Sequence, residues 1–241
     1  MSNFDEWGPE DDIHDDKVSV FAGGLGQPIA DLVSALAKAQ IKSLRRVVGE
    51  RENGYCASIL MLSVLVFESL VGRASHLRKM KTTIGRKGDK IERTSTSYVR
   101  ILDPSFPQNL IDELEEIYVL RDALAHGHMW TIAFTIRQHG TEVTSLKMHE
   151  GYGDAKYRAI VDEKTGRTRK LGLAAIPSEI GLAEASTALK KLSEAVAQLV
   201  HSGALEFPAA RARVRYEGQH VEFWALNNEL QRLYLEKPEV I

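Results

Sequence analysis

Residues 117–128 read Ile117-Tyr118-Val119-Leu120-Arg121-Asp122-Ala123-Leu124-Ala125-His126-Gly127-His128, and this stretch sets the fold class. Leu110, Leu114, Ile117, Leu120 and Leu124 recur at i, i+3/i+4 spacing, the apolar stripe of a helix that begins near Asn109. Asp112, Glu113, Glu115 and Glu116 fall in its first turns, where carboxylates complement the helix dipole, and Gly127 reads as a stop just past His126. The fold class read outward from this segment is mainly α.

Upstream, Ile29, Leu32, Val33, Leu36, Ala37 and Ile41 predict an amphipathic helix from Gln27 to about Arg51. A second helix, about Tyr55 to Lys79, is apolar nearly all round through Leu70 and is expected at the centre of the core. Residues 73–100 then turn basic. Gly85, Gly88 and the Thr/Ser cluster 94–97 predict a loop, and Asp103-Pro104 and Phe106-Pro107 punctuate before the helix quoted above. Downstream the period changes to two: Met129–Arg137, Thr141–Met148, Tyr157–Asp162 and Arg167–Leu173 predict a β-meander over about residues 129–173, inserted in a helical chain. Helix resumes over Ser178–Ser202, closed by Gly203, and a last helix is expected over His220–Leu235. The glycines of Phe21-Ala22-Gly23-Gly24-Leu25-Gly26 read as a flexible lead into the first helix; without a Lys-Ser/Thr pair they are no phosphate loop.

The totals permit one domain. The chain has 241 residues, 44% of them hydrophobic and 27% charged, with a formal net charge of −2. A real core is feasible, and the charge balance neither announces nor excludes a nucleic-acid partner. Residues 1–22 read as an acidic tail and 23–241 as the folded domain. Residues 1–16 hold seven acidic side chains and no apolar signal-peptide core. Cys56 has no partner in the chain, which fits a reducing compartment, and it reads as a small buried hydrophobe. The longest apolar run, Ile59–Phe67, is shorter than a membrane span, so the expected location is the cytoplasm, away from membranes.

The chemistry is expected at the end of the quoted helix, where a permanent cation and a titratable imidazole meet a glycine. Spacing alone is weak. With 17 Arg and 8 His, an Arg five residues before a His is expected by chance less than once, and Arg215–His220 repeats the interval across the apparent loop Tyr216-Glu217-Gly218. A His in a last helical turn is also favoured by the dipole without any chemistry, and an Arg one turn earlier can simply pair with a carboxylate. Context distinguishes Arg121–His126: an amphipathic helix, a polar residue after the Arg, and an Ala-His-Gly ending.

With that context the segment resembles the R-x4-6-H motif of the HEPN superfamily. The resemblance covers the motif helix well, the preceding helices loosely, and the meander not at all. It implies a HEPN-like helical bundle that pairs as a homodimer and a metal-independent endoribonuclease of defence or toxin–antitoxin systems, with RNA as substrate and no cofactor. Arg121 would then fork onto a phosphate and His126 would move the proton of a ribose 2′-hydroxyl or of the leaving 5′-oxygen. Asp122, four residues before His126, would orient the ring, His128 stands as a spare candidate, and Glu68 would face the site. Two departures stand out: Asp122 occupies a position where Asn is frequent, and His128 stands where one subgroup has Tyr.

Arg73, Arg78, Lys79, Arg86 and Lys87 in the basic stretch are candidates to track an RNA backbone, although a solvated charged loop explains them equally well. His139 and His149 lack further ligands for a metal site. Trp130, Trp224 and Tyr234 read as core or interface residues. Two other functions fit the same sequence: a non-catalytic dimeric module that binds RNA or protein, and an antitoxin-like partner of a separate enzyme or defence-system protein.

Overall fold

The computed structural model describes residues 22–39, 48–77, 94–126, 130–137, 140–148, 154–205 and 212–237. They are mainly helical. Seven α-helices run in the order α1 (Ala22–Lys38), α2 (Glu50–Leu77), α3 (Thr94–Leu102), α4 (Gln108–His126), α5 (Asp154–Ile160), α6 (Leu182–His201) and α7 (Leu226–Glu236). Three two-stranded antiparallel ladders interrupt them: β1 (Trp130–Arg137) with β2 (Gly140–Met148), β3 (Val161–Asp162) with β4 (Arg167–Thr168), and β5 (Arg213–Tyr216) with β6 (Gln219–Glu222).

Helix α2 is the axis of the core, packed against α1, α3, α4 and α6. Cys56, Ile59, Leu60, Val64, Phe67 and Val71 are sealed against Leu114, Ile117, Leu120, Leu189, Leu192 and Val196 of α4 and α6. By length and composition α2 could also cross a bilayer, contrary to the expectation drawn from Ile59–Phe67 alone. Half of its most apolar window lies inside the chain's own fold.

Several elements differ from their sequence-based expectation. The first helix begins at Ala22 rather than after the glycines and ends at Lys38, and Val48-Gly49 precede a separate α2, so the span Gln27–Arg51 is not one helix. Gly26 is buried because a Cβ there would meet Val214 Cγ1 at 3.1 Å, and that close approach seats α1 on β5. Gln27 then covers β5's outer edge: its side chain donates to the Arg215 carbonyl at 2.9 Å and accepts from the Arg215 N–H at 2.8 Å. The cluster 94–97 opens α3 instead of a loop.

The meander is two separate ladders with a helix between them. Tyr157, Ile160 and Val161 fit an i, i+3, i+4 spacing as well as an alternation, and Tyr157 lies in α5, its hydroxyl donating to the Ala175 carbonyl at 2.6 Å. Strand β4 ends after two residues because the N–H groups of Lys170 and Leu171 go to the Glu116 carboxylate at 2.7 and 2.8 Å, and Gly172 turns the chain at φ +66°. Glu116→Ala leaves both donors without their charged acceptor and is expected to cost about 1–2 kcal/mol. A urea melt of the variant would check this, and an unchanged midpoint would show that water replaces the carboxylate at no cost. At the C-terminal end, Glu217 and Gly218 both take positive φ (48° and 81°), the geometry of a tight hairpin turn, so His220–Glu222 form β6 and the helix starts only at Leu226.

One buried ion pair ties the chain's end to this core. Lys237, just past α7, donates to both carboxylate oxygens of Glu52 at 3.1 and 2.8 Å, with both side chains 2% exposed. Glu52 also accepts the Leu182 N–H at 3.2 Å. The cap position of α6 is Gly181, where a Cβ would lie 2.8 Å from Val48, so α2 supplies the capping carboxylate that a glycine cannot. Burial, aided by the Glu52 and Glu184 carboxylates and opposed by Lys237, raises the neighbouring Cys56 thiol far above its usual range. Cys56 is therefore expected to ignore thiol reagents in the native protein and to react on unfolding, as a timed titration with a disulfide reagent would show.

Candidate functional site

Arg121 lies in the penultimate turn of α4, where that helix crosses α2. Leu114, Ile117, Leu120 and Ala123 of α4 are completely buried, whereas Arg121, nearer the helix end, lies on the rim with its side chain 24% exposed. Its guanidinium forms an ion pair with Glu68 of α2, itself 26% exposed. Asp122 Oδ1 stands 3.5 Å from Arg121 Nε, an electrostatic contact without hydrogen-bond geometry, and that Nε is shielded from solvent with no hydrogen-bond partner. Beneath the cation, the ring of the buried Tyr118 lies 5.7 Å from the guanidinium carbon.

His126 is the last residue of α4 and is exposed. Five positions separate it from Arg121, about 140° around the helix, whereas Asp122 and His126 share a side. Arg121 thus faces α2 while the imidazole sits at the open helix end. The structure brings together Arg121, Asp122 and Glu68, and places His126 on the last turn beyond them. Arg73, also on α2, is half-buried with a solvent-shielded Nε that makes no hydrogen bond among the described residues. His128, Arg78, Lys79, Arg86 and Lys87 lie outside the described residues.

Tyr118 is the member that sequence reasoning missed. Its signal was legible, because it stands three residues before Arg121 on the same helical face, where an aromatic ring and a guanidinium meet. Chemically, the cluster holds a cation in one orientation through two carboxylates and a ring, with a solvent-accessible imidazole on the last turn of the same helix. The two carboxylates offset the guanidinium's charge, so an oxyanion would have to displace Glu68 to reach its fork, whereas the exposed imidazole suits proton transfer.

Compared with protein-family models, with curated proteins and with solved structures, the chain matches none.

Proposed function

We propose that the protein is a metal-independent endoribonuclease of HEPN type, a cytoplasmic homodimer with a HEPN-like helical bundle that acts in bacterial defence or toxin–antitoxin biology. The observation that supports this reading is the rim position of Arg121, oriented by Glu68, Asp122 and Tyr118, with the exposed His126 on the last turn of the same helix. In this reading Arg121 stabilises the charge that grows on the phosphate oxygens. One imidazole accepts the 2′-hydroxyl proton as the 2′-oxygen–phosphorus bond forms. The imidazole of the second copy donates a proton to the 5′-oxygen as its bond to phosphorus breaks, leaving a 2′,3′-cyclic phosphate and a 5′-hydroxyl. Arg73, with Arg78, Lys79, Arg86 and Lys87, would hold the RNA backbone.

The test is incubation of the purified protein with total RNA in EDTA. Cleavage that leaves 2′,3′-cyclic ends and disappears in both Arg121→Ala and His126→Ala supports the assignment. Intact RNA in every condition overturns it.

A second reading has its own observation in favour. Arg121 is already committed to Glu68, as a purely architectural cation would be. The protein would then be a non-catalytic dimeric module that binds RNA or a protein partner, or an antitoxin-like partner of another enzyme. In that case Arg121→Ala changes thermal or dimer stability and no reaction rate.

A further inference from the structure

Helix α2 carries no Asp, Glu, Lys or Arg between Glu52 and Glu68. One side of that stretch is the sealed core. On the other side, among the described residues, Leu65 at its centre is 39% exposed, Ser58, Met61 and Ser69 are half-buried, and a Cβ added at Gly54 or Gly72 would meet nothing within 4 Å. Helix faces that meet water carry charge, whereas the stripe Gly54, Ser58, Met61, Leu65, Ser69, Gly72 has none. We propose that a second copy of this chain covers this stripe, the two α2 helices crossing antiparallel about a two-fold axis at Leu65.

The pattern of sizes points to a second copy rather than another partner, because an interface of this symmetry must be complementary to itself. Met61 stands four positions before Leu65 and Ser69 four after, so the axis sets each Met61 against the partner's Ser69. Ser58 and Gly72 are each seven positions away, small against small, and they allow close approach. Gly54 and His76 are each eleven away, which again faces a bulky side chain with a residue that has none. Charge selects the direction. The end of α2 carries Arg73 and His76, while its start carries the mutually offsetting Glu50 and Arg51. Antiparallel crossing keeps the basic ends apart, and also opposes the helix dipoles favourably. An uncharged stripe gives an RNA backbone no counter-charge, and the Arg121–Glu68 pair at its border argues against burial in lipid.

This interface deepens the two-copy reading of the site and, in that respect, rests on it. Glu68 lies three positions from the axis, about 4.5 Å along the helix. The two Arg121–Glu68 clusters therefore become neighbours across the two-fold, and each site is completed by the other copy.

The experiment is sedimentation equilibrium of the full chain, with Leu65→Arg and three single-cysteine additions. Wild type is expected at twice 26.9 kDa and Leu65→Arg at 26.9 kDa with an unchanged helical circular dichroism spectrum. Leu65→Cys should cross-link to itself on oxidation, while Met61→Cys and Ser69→Cys should cross-link only when mixed. A monomeric wild type, a Leu65→Arg dimer, or Leu65→Cys that stays uncross-linked overturns the proposal. A monomeric wild type in which Leu65→Arg lowers the melting temperature would instead mean that another segment of the same chain occupies the stripe. None of these measurements reads RNA cleavage. A dimer that cuts no RNA sinks the nuclease reading alone, and a monomer that cuts RNA sinks the interface and the two-imidazole mechanism while RNA cleavage itself stands.

Discussion

On the proposed endoribonuclease reading, replacing His126 with alanine is expected to slow RNA cleavage by about 10²–10⁴-fold near neutral pH, the usual contribution of a positioned general acid or base. Arg121→Ala should lose about 10²–10³-fold, as removal of one stabilising donor from a developing oxyanion does. The double variant should be scarcely slower than the worse single one, because residues acting in one step are not additive. Arg121→Lys is the discriminating control. It keeps the charge and can still pair with Glu68, but it lacks the planar fork, so cleavage should fall while stability holds. The folding consequence of Arg121→Ala itself is small, on the order of 1 kcal/mol, because Glu68 remains partly exposed and water can solvate it. His126 is exposed at a helix end, so its loss should leave the fold intact. Single-turnover rates on a defined RNA, measured beside urea melts, separate the two roles. Unchanged rates in both single variants would remove the catalytic assignment.

Lys237→Ala is expected to destabilise the protein by about 3–5 kcal/mol, because it leaves the Glu52 carboxylate buried without its cation. Few single changes in this chain should cost more. Converting both members together, Glu52→Leu with Lys237→Met, removes the desolvation penalty on each side and should recover most of that loss. The recovery should stop short by about 1 kcal/mol, since Glu52 also caps the start of α6 through the Leu182 N–H and leucine cannot. Equilibrium urea unfolding of the two variants tests both halves. If Lys237→Ala melts with the wild type, the C-terminal end is not anchored in the way the geometry implies.

Much of the helical core was legible because one chain segment supplied the whole signal. Leu110, Leu114, Ile117 and Leu120 of the stripe bury as its period says and Leu124 is half-buried, and the described helix runs to His126. Pro177 and Gly203 likewise bracket the stretch that holds α6. The errors fell where local pattern was ambiguous or where a partner far along the chain decided. Tyr157, Ile160 and Val161 satisfy both periods, and packing chose a helical turn. Glu217 adopts positive φ inside a hairpin, a conformation that nothing in its residue type demands. Tyr216-Glu217-Gly218 reads as a loop in the sequence, but spacing does not show that this loop closes a hairpin and pairs His220 with Arg215.

The sequence by itself determined that the chain is mainly helical, that the second long helix forms the core, and that an Arg, an Asp and a His share one helix end. These follow from side-chain periodicity and from terminal residues, and need no distant contact. Only the tertiary structure decided that Glu68 binds Arg121, that Glu52 caps a helix 130 residues away, and that Lys237 is sealed against it. Such pairings depend on which helix faces cross and how much water is excluded there, and sequence spacing carries no record of either.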